Sequence, residues 1–393
     1  MKRGALSDIK VLDLTHYVAG PFCTKLLADY GANVIKVERP EKANEAGPCN
    51  PVPGGSGLSI FLNTNKKSIT LNLKTQKGVK IFKDLAKQAD VIVENFKPGV
   101  MASLDLDYHN LESVNPKLVV TSISNFGQTG PYKDYKATEL VSVAMGGLLT
   151  CLGERDREPV KPVGSQAQFH AGLIGAVATL SALFGAKMTG MGQHVDVSIM
   201  EAEMSMVQLH IMTYPYSGGL DHRTGSQSGY YPWAVYACKD GYISVGVHQV
   251  LWKRAGPWIG RPELADDPRL SVPAERLKHF EELDSIFLPW FLERTKSEIV
   301  SSGQANRIPV TGVNTPEDML RDPQFQAREF FVDIDHPETG RFTCPGAPFK
   351  MSETPWQIRR PAPLLGECNE EIYCGQLGYS KEDLAELSEQ GVI

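Results

Sequence analysis

A chain of 393 residues is longer than the roughly 250 to 300 residues that one hydrophobic core serves, so we expect two subdomains or an extended architecture. Apolar residues make up 42% and charged residues 22% of the chain, and the net charge of −6 gives no basic surface for nucleic acid. The apolar stretch 171–186 is interrupted by Gly and Ser, and residues 1–10 lack a signal-peptide core. We therefore expect a cytoplasmic protein with a small-molecule partner and no membrane contact.

The cysteines do not form a recognisable framework. They are odd in number, scattered, and without a CxxC pair, and no cluster of histidines accompanies them. This pattern argues against disulfides and against zinc, so neither a metal nor a disulfide frame is expected. The seven are Cys23, Cys49, Cys151, Cys238, Cys344, Cys368 and Cys374.

The first 125 residues alternate short apolar runs with helical patterns. Apolar runs at 9–14 and 33–37 flank a helical pattern at 24–30, which predicts a βαβ unit. The elements predicted next are a strand at 68–73, a helix at 78–88, and strands at 91–94 and 118–124. This alternation predicts a parallel, doubly wound sheet. No G-x-G-x-x-G follows the first strand, so a dinucleotide cofactor is not implied.

The rest of the chain mixes helices with a strand pair. The predicted helices span 139–149, 171–187, 276–295 and 381–390, and the strands 235–238 and 242–247 are joined by Lys239-Asp240-Gly241. Between them, 217–228 is rich in Gly and Ser and lacks periodicity, which indicates a domain boundary. The remainder is interpreted as Pro-rich loops that precede the final helix.

Eight segments in a fixed order resemble the family III CoA-transferases, such as formyl-CoA transferase and the carnitine-related CoA-transferase. They are VLDLTHYVAGPFCTKLLADYGANVIKVERP (11–40), FLNTNKKSITLNLK (61–74), VIVENFKPGV (91–100), SNFGQTGPY (124–132), TGMGQHVDVSIMEA (189–202), KDGYISV (239–245), PGAPFK (345–350) and PLLGE (363–367). The resemblance implies transfer of CoA from an acyl-CoA thioester to a carboxylic acid, with the thioester as substrate and no permanently bound cofactor.

The resemblance also implies an architecture. The expected fold is α/β, with a large Rossmann-like doubly wound domain over 1–215 and a smaller α+β domain over 230–325. A C-terminal segment, 326–393, is expected to return to the large domain. Two such chains are expected to interlock as a dimer.

One residue departs from the family at the position that matters most. The family's nucleophilic aspartate, which attacks the donor thioester and forms an anhydride, lies four residues before a glycine at the start of a long small-residue helix. In the segment 164–172 of this chain that position is Gln168. An amide is a much poorer nucleophile than a carboxylate and does not form the ordinary anhydride. The covalent route is therefore expected to fail on this chain.

The residues that match the family's CoA contacts are largely present. They are His16, Ala19, Arg39, Leu71, Lys74, Asn95, Phe96 and Lys136. Taken alone, Lys74 or Lys136 is equally well explained as a surface base, whereas the set favours a nucleotide cleft. The family's phosphate-pairing arginine is missing from Ser103-Leu104-Asp105, and Asp105 adds negative charge where a polyanion would lie.

Three further features have two interpretations each. Glu139 matches a glutamate near the family's catalytic centre, yet it is also suited to be the first-turn acid of a helix that follows Thr138. His170 is placed to act as an acid or base, although a histidine at a helix start is more often structural. A mobile glycine lid and a flexible interdomain turn are both consistent with Gly225, Ser226, Gln227, Ser228 and Gly229.

Four hypotheses follow for the function. The first is the non-catalytic subunit of a heteromeric family III CoA-transferase, paired with a homologue that keeps the aspartate and resembling the benzylsuccinate type that uses succinyl-CoA. The second is a self-sufficient enzyme that uses Glu139 or a direct attack by the acceptor. A racemase is disfavoured, because its His and Asp positions are Thr138 and Gln168 here. The fourth is an acyl-CoA-binding protein without chemistry.

Overall fold

The structure is a computed structural model, which describes residues 4–40, 51–52, 55–220, 223–226 and 229–393. The chain divides into two compact units. The first comprises Met1–Leu148, Lys161–Ser217 and Glu329–Ile393, and the second comprises Leu149–Val160 and Gly218–Arg328. Residues 149–160, which were predicted in the large domain, thus belong to the second unit. The other domain boundaries stay predictions.

The secondary structure is mixed along the whole described chain. The strands are β1 (Lys10–Asp13), β2 (Asn33–Glu38), β3 (Pro51–Val52), β4 (Gly55–Ser56), β5 (Lys66–Thr70), β6 (Val91–Glu94), β7 (Val119–Ser124), β8 (Gln193–Ser198), β9 (Trp233–Cys238), β10 (Gly241–Gly246), β11 (Val310–Gly312), β12 (Phe331–His336) and β13 (Gly340–Pro345). The helices are α1 (Ala19–Asp29), α2 (Gly57–Asn63), α3 (Gln76–Ala86), α4 (Val100–Ser103), α5 (Tyr108–Val114), α6 (Glu139–Met145), α7 (Gln166–Thr189), α8 (Ile199–Met204), α9 (Gln208–Ser217), α10 (Trp252–Trp258), α11 (Pro273–Lys278), α12 (Phe280–Leu292), α13 (Lys296–Ala305), α14 (Pro316–Arg321), α15 (Pro323–Ala327), α16 (Asn369–Tyr373) and α17 (Lys381–Glu389).

The first unit is built on a parallel six-stranded sheet. Its strand order is β5-β2-β1-β6-β7-β8, and every pairing is parallel. Every residue of β6 and β7 is buried, as expected for strands covered by helices on both faces. The order reverses between β1 and β6, which is the switch point of a doubly wound fold. The predicted fold class is confirmed.

Helices cover both faces of this sheet. On one face a continuous core joins the sheet to α3, α5, α16 and α17 through side chains such as Phe82, Leu111, Ile372 and Leu387. On the other face α1 packs against α7, and Thr121 of β7 is hydrogen-bonded to Thr179 of α7 at 2.7 Å. The C-terminal helices thus belong to the core of the first unit, where the Tyr373 hydroxyl donates to the Thr70 carbonyl at 2.6 Å.

Helix α1 begins five residues before the predicted start at Thr24. Pro21 lies in its first turn, where a missing backbone N–H costs nothing because the first N–H groups of a helix have no partner inside it. Gly20 and Pro21, which precede the predicted helix, are therefore part of it. The consequence is that Ala19 is the first residue of α1 and lies at the carboxyl edge of the sheet.

Helix α7 is long and apolar. By length and composition it is the one helix in the described part of the chain that would be able to cross a membrane, with 44% of its apolar window buried. A core helix passes the same test, and α7 packs against α1 and β7. Its other side carries exposed apolar residues at helical spacing. We call these the α7 ridge: Leu173, Val177, Leu180, Phe184 and Met188, which are between 37% and 73% exposed.

The second unit contains an antiparallel sheet of order β11-β10-β9, covered by helices with an aromatic core that includes Trp258, Phe287 and Phe291. The strand pair around Lys239-Asp240-Gly241 is confirmed. The single helix predicted over 276–295 is wrong, because the chain leaves the helical conformation at His279 and forms α11 and α12 instead. Fully buried Arg276 fixes α11 by donating to the Leu270 carbonyl and to Gln249.

The last part of the chain was predicted to contain only loops before its final helix, which is also wrong. Strands β12 and β13 form an antiparallel hairpin across residues 331–345. Its Asp333 accepts hydrogen bonds from Arg341 and Thr343 on the facing strand. Such cross-strand pairs stabilise a two-stranded ribbon whose sequence shows little apolar alternation.

Candidate active site

The residues predicted to contact CoA gather along one edge of the parallel sheet. His16 follows β1, Arg39 follows β2, and Asn95 and Phe96 follow β6. Leu71 and Lys74 follow β5, and Lys136 lies between β7 and α6. These strands are neighbours, so their carboxyl ends lie side by side. Ligands of open α/β sheets bind at this edge, next to the switch point between β1 and β6.

Two loops are fastened together at the switch point. The His16 backbone N–H donates to the Asn95 side-chain oxygen at 3.0 Å, and the Asn95 amide donates to the His16 carbonyl at 2.7 Å. The rings of His16 and Phe96 lie 5.5 Å apart, and Tyr17 packs edge-on against His16 at 5.1 Å. Tyr17 has a φ of 65°, which is uncommon for a residue other than glycine. The result is a rigid aromatic wall at the switch point.

The individual side chains differ in what they offer a ligand. Arg39, Lys74 and Lys136 are exposed, so their charges are available to phosphates. Ala19 is 1% and Leu71 is 2% exposed, so their side chains are buried and only their backbone atoms could contact a ligand.

Asp105 does not stand as an isolated negative charge. Its carboxylate is paired with Lys83, and its backbone has a φ of 59°. Ser103, at the end of α4, donates its hydroxyl to the Val100 carbonyl at 2.7 Å. The repulsion predicted between Asp105 and a polyanion is therefore reduced by an adjacent lysine.

A buried ionic network underlies the loop after β1. Asp13 is 0% exposed and accepts hydrogen bonds from the Thr15 backbone and hydroxyl, from Thr24 at 2.7 Å and from Lys66 at 2.9 Å. Burial alone would raise the pKa of Asp13, but Lys66, Lys36 and the two hydroxyls outweigh it and hold that pKa far below its usual value. Burial lowers the pKa of Lys66 to about 8 against the attraction of Asp13. The network fixes Thr15 and thereby the adjacent His16.

Gln168 lies in the first turn of α7, as the sequence predicts. The Ser165 side chain does not cap this helix; instead the Glu139 carboxylate accepts from the Ala167 backbone N–H at 2.9 Å and from that of Gln168. Burial and the charge of Glu203 raise the pKa of Glu139, and the helix N–H groups oppose this rise. Glu139 thus stabilises the helix start that carries Gln168, and it is also the first residue of α6.

The start of α7 touches the start of α1. A Cβ at Gly172 would lie 2.5 Å from the Ala19 carbonyl oxygen, so only glycine permits this approach. The rings of Phe22 and Phe169 meet edge-on at 4.9 Å. These contacts place the segment of Gln168 beside the loop of His16, so the structure brings the predicted catalytic and nucleotide positions together.

His170 is held by a residue that the sequence analysis missed. Its Nδ1 lies 2.6 Å from the carboxylate of Glu203, which is 0% exposed and whose second oxygen has no hydrogen-bond partner within the described part of the chain. Glu203 stands among apolar residues in the sequence of α8, which is the signal that could have marked it as buried and paired. The sequence alone does not show which side of that short helix faces α7. Glu139, His170 and Glu203 therefore form one polar cluster around the start of α7.

The residues of the predicted glycine lid belong to the second unit. Gly225, in the second unit, has a φ of 64°, and its N–H donates to the Gly153 carbonyl at 3.0 Å. Ser226 and Gly229 are both exposed, whereas Gln227 and Ser228 lie outside the described residues. The lid stays a prediction. Among the described residues, no group of three or more His, Cys, Asp or Glu side chains is arranged to hold a metal ion.

The fold is a doubly wound α/β sheet with aromatic side chains at its switch point, which places the protein in the α/β class. The sequence model described as CoA-transferase family III matches residues 6–369. The chain belongs to this family.

Relatives of established name match it over nearly their whole length. It is 36% identical to the formyl-CoA:oxalate CoA-transferase of Streptomyces avermitilis, with 99% of each chain covered. It is 34% identical to the succinyl-CoA–D-citramalate CoA-transferase of Chloroflexus aurantiacus, over 99% of this chain and 98% of that one. The crystal structure of a CAIB/BAIF family protein from Brucella suis superposes with a TM-score of 0.85 at 29% identity, covering 95% of this chain and all of that one.

Proposed function

We propose that this chain is the non-catalytic subunit of a heteromeric CoA-transferase, paired with a family member that carries the nucleophilic aspartate. The observation that supports this most strongly is Gln168 at the first turn of α7. A carboxylate at that position would attack a thioester carbonyl, whereas an amide does not form the anhydride that follows. None of the relatives named above is called a subunit, so the heteromer depends on Gln168.

Glu139 is a poor substitute nucleophile. One of its oxygens accepts the backbone N–H of Ala167, and the group is bound to the start of a helix that it caps. Burial also raises the pKa of Glu139, which favours its neutral form over the nucleophilic carboxylate. Its other oxygen, Oε2, has no hydrogen-bond partner among the described residues, so attack by Glu139 is the alternative that the adduct experiment below tests.

The nucleotide cleft is better preserved than the nucleophile. The aromatic wall of Tyr17, His16 and Phe96 and the exposed cations along the sheet edge remain in place for an adenine ring and phosphates. Binding of acyl-CoA without turnover by this chain alone is consistent with that cleft. Such binding is equally compatible with an acyl-CoA-binding protein without chemistry. The experiment with an aspartate-bearing partner, described below, distinguishes that protein from a subunit.

The donor that we propose is succinyl-CoA, with a carboxylic acid as acceptor. Two relatives support a dicarboxylate: the succinyl-CoA–D-citramalate enzyme, and the succinate–glutarate CoA-transferase of Agrobacterium fabrum, which is 33% identical over 93% of this chain and 94% of that one.

Succinyl-CoA is expected to leave no covalent acyl group on this chain, either alone or in complex. In complex with an aspartate-bearing partner, the acyl or CoA adduct should appear on the partner only, as located by denaturing mass spectrometry of each chain. Turnover of that complex should change by no more than about threefold in Glu139→Gln, because the amide oxygen still accepts the Ala167 N–H. An adduct on Glu139, or turnover abolished by Glu139→Gln, would favour the self-sufficient enzyme.

The α7 ridge is the surface that we propose the partner covers, as part of an interlocked dimer. Its five apolar side chains follow one face of a 24-residue helix. A contiguous apolar strip of this kind is uncommon on a monomer and typical of a protein interface. A homologous chain with a similar α7 would present a matching face, so that the two helices pack against each other.

Replacing two residues of the α7 ridge by glutamate, Val177→Glu with Phe184→Glu, should prevent assembly. Both side chains are more than half exposed, so the variant should fold while two buried charges disfavour the interface. We expect the mass measured by light scattering after gel filtration to fall from that of the oligomer to that of one chain. As a matched control, Leu292→Glu in the second unit, at a side chain that is 52% exposed, should not change the mass. An unchanged oligomer in the double variant would place the interface elsewhere.

A further inference from the structure

Glu94 is a buried acid directly behind the cleft, and no role has been assigned to it. It is the last residue of β6, is 3% exposed, and precedes Asn95 and Phe96. Its carboxyl oxygen accepts the Phe96 backbone N–H at 2.7 Å. Asn95 in turn is fastened to His16 by two hydrogen bonds. Glu94 thus holds the loop after β6 through the Phe96 backbone.

A chain of hydrogen bonds leads from Glu94 across the sheet. The Ser122 hydroxyl on β7 hydrogen-bonds the Glu94 carboxyl group, and Ser122 Oγ lies 2.9 Å from Nε2 of His194 on β8. These three residues belong to three adjacent strands, and the His194 ring lies nearly parallel to that of Tyr108 at 6.2 Å. The sheet therefore fixes Glu94 at one end of this hydrogen-bond chain, and the sheet and α5 fix His194 at the other.

A cavity of about 330 Å³ reaches this chain from the side of α4 and α5. Glu94, Ser122 and His194 line it together with Lys97, Tyr108 and Gln128. The cavity is large enough to admit water molecules, so it offers buried Glu94 a route for proton exchange with solvent.

We propose that Glu94 is a positioning residue for CoA: with Ser122 and His194 it sets the position of the Asn95–Phe96 loop, and so couples the affinity for CoA to its own protonation. This inference rests on the proposed binding of CoA at the switch point. The Glu94 carboxyl touches no ligand itself. It acts through the Phe96 backbone and, through Asn95, on His16.

The direction of the pH effect follows from the hydrogen bond to Phe96. Burial raises the pKa of Glu94 to about 7, with a smaller contribution from Asp196, whereas Ser122 and the Phe96 N–H oppose the rise. An ionised carboxylate accepts an N–H more strongly than a neutral carboxyl group, so the loop is held most firmly above that pKa. CoA affinity should therefore be highest above pH 7 and fall as the pH decreases through it.

Other titratable groups face Glu94 and set the background of this effect. They are His194 and Asp196 on β8, Lys97 after β6, and Asp107, Tyr108 and His109 at the start of α5. Burial lowers the pKa of His194, so its ring stays neutral over most of the same pH range. Among Glu94, Ser122 and His194, the change in charge over this pH range is thus assigned to Glu94.

The first test measures the loop itself and needs no ligand. Hydrogen exchange followed by mass spectrometry should show that the Phe96 amide exchanges about tenfold faster in Glu94→Ala than in the unsubstituted protein, because its acceptor is lost. Glu281→Ala, at an exposed glutamate in the second unit, serves as the control and should not alter it. Unchanged protection of Phe96 in Glu94→Ala would overturn the inference.

The second test uses CoA as the probe, by calorimetry between pH 6 and 8. The dissociation constant of the unsubstituted protein should rise about tenfold as the pH falls, whereas Glu94→Gln, a permanently neutral side chain, should show the weaker value at every pH. An equal pH dependence in Glu94→Gln would overturn the inference. No CoA binding at any pH, together with loss of Phe96 protection in Glu94→Ala, would refute the proposed function and leave the role of Glu94 in the loop intact.

Discussion

Gln168→Asp should convert this chain into one that forms a covalent adduct with succinyl-CoA. Gln168 is in the first turn of α7, where the backbone N–H groups favour a negative charge, and the substitution restores the carboxylate that attacks the thioester. Loss of a nucleophile typically costs on the order of 10³-fold or more in rate, and a gain of similar size is expected in return. Denaturing mass spectrometry should place the acyl or CoA group on Asp at position 168.

The matched control is Gln166→Asp, the same change two residues earlier. Gln166 is the first residue of α7 and is exposed, so its carboxylate would lie at the same helix end but outside the cluster of Glu139 and His170. It should form no adduct. An inert Gln168→Asp variant that still binds CoA would show that the site has lost more than its nucleophile, which favours the acyl-CoA-binding protein.

Asp13→Asn should destabilise the first unit strongly. Asp13 and Lys66 are both 0% exposed and form an ion pair at 2.9 Å, so the substitution leaves a buried ammonium group without its counter-charge. Removal of one partner from a buried ion pair costs about 3 to 5 kcal/mol of folding free energy. Urea unfolding followed by circular dichroism measures the loss. Because Asp13 also holds Thr15, CoA binding should weaken with it.

Two comparisons identify the cause. Asp8→Asn removes an exposed ion pair with Lys187 and should cost about 1 kcal/mol or less. The double variant Asp13→Asn with Lys66→Met should be more stable than Asp13→Asn alone, because the uncompensated charge is gone. If the double variant loses as much stability as the sum of both single changes, the ion pair is not the source of the effect.

The fold of the first unit was largely predictable from periodicity. The strand Val91–Glu94 was predicted with its observed bounds, since a short buried parallel strand is a continuous apolar run between breaks. The prediction of one helix over 276–295 was wrong for a related reason. The buried residues of α11 and α12 fall at the spacing of a single continuous helix, so the one-residue break at His279 is not visible in the hydrophobic pattern. Strand β8 was not predicted because it lies at the sheet edge and is partly exposed.

The site residues that belong to a recognisable sequence motif were predictable. Those that matter because they are buried were not. His16, Asn95 and Gln168 stand in recognisable segments, and the sheet topology brings those segments together. Glu94 and Asp13 have the sequence signature of a charge at the end of an apolar strand, which indicates burial but names no partner. Their partners, Ser122 and Lys66, are distant in sequence and are set by strand order, which a single sequence does not give.

The α7 ridge also bears on the fate of the chain before assembly. If the proposed heteromer forms, a copy made in excess of its partner exposes five large apolar side chains along one helix face. Chaperones and proteases of the cell recognise exposed apolar surface, and stability differences of about 1 to 2 kcal/mol already change protein abundance severalfold. In the proposed heteromer, matched synthesis of the two chains would therefore decide how much of this one survives.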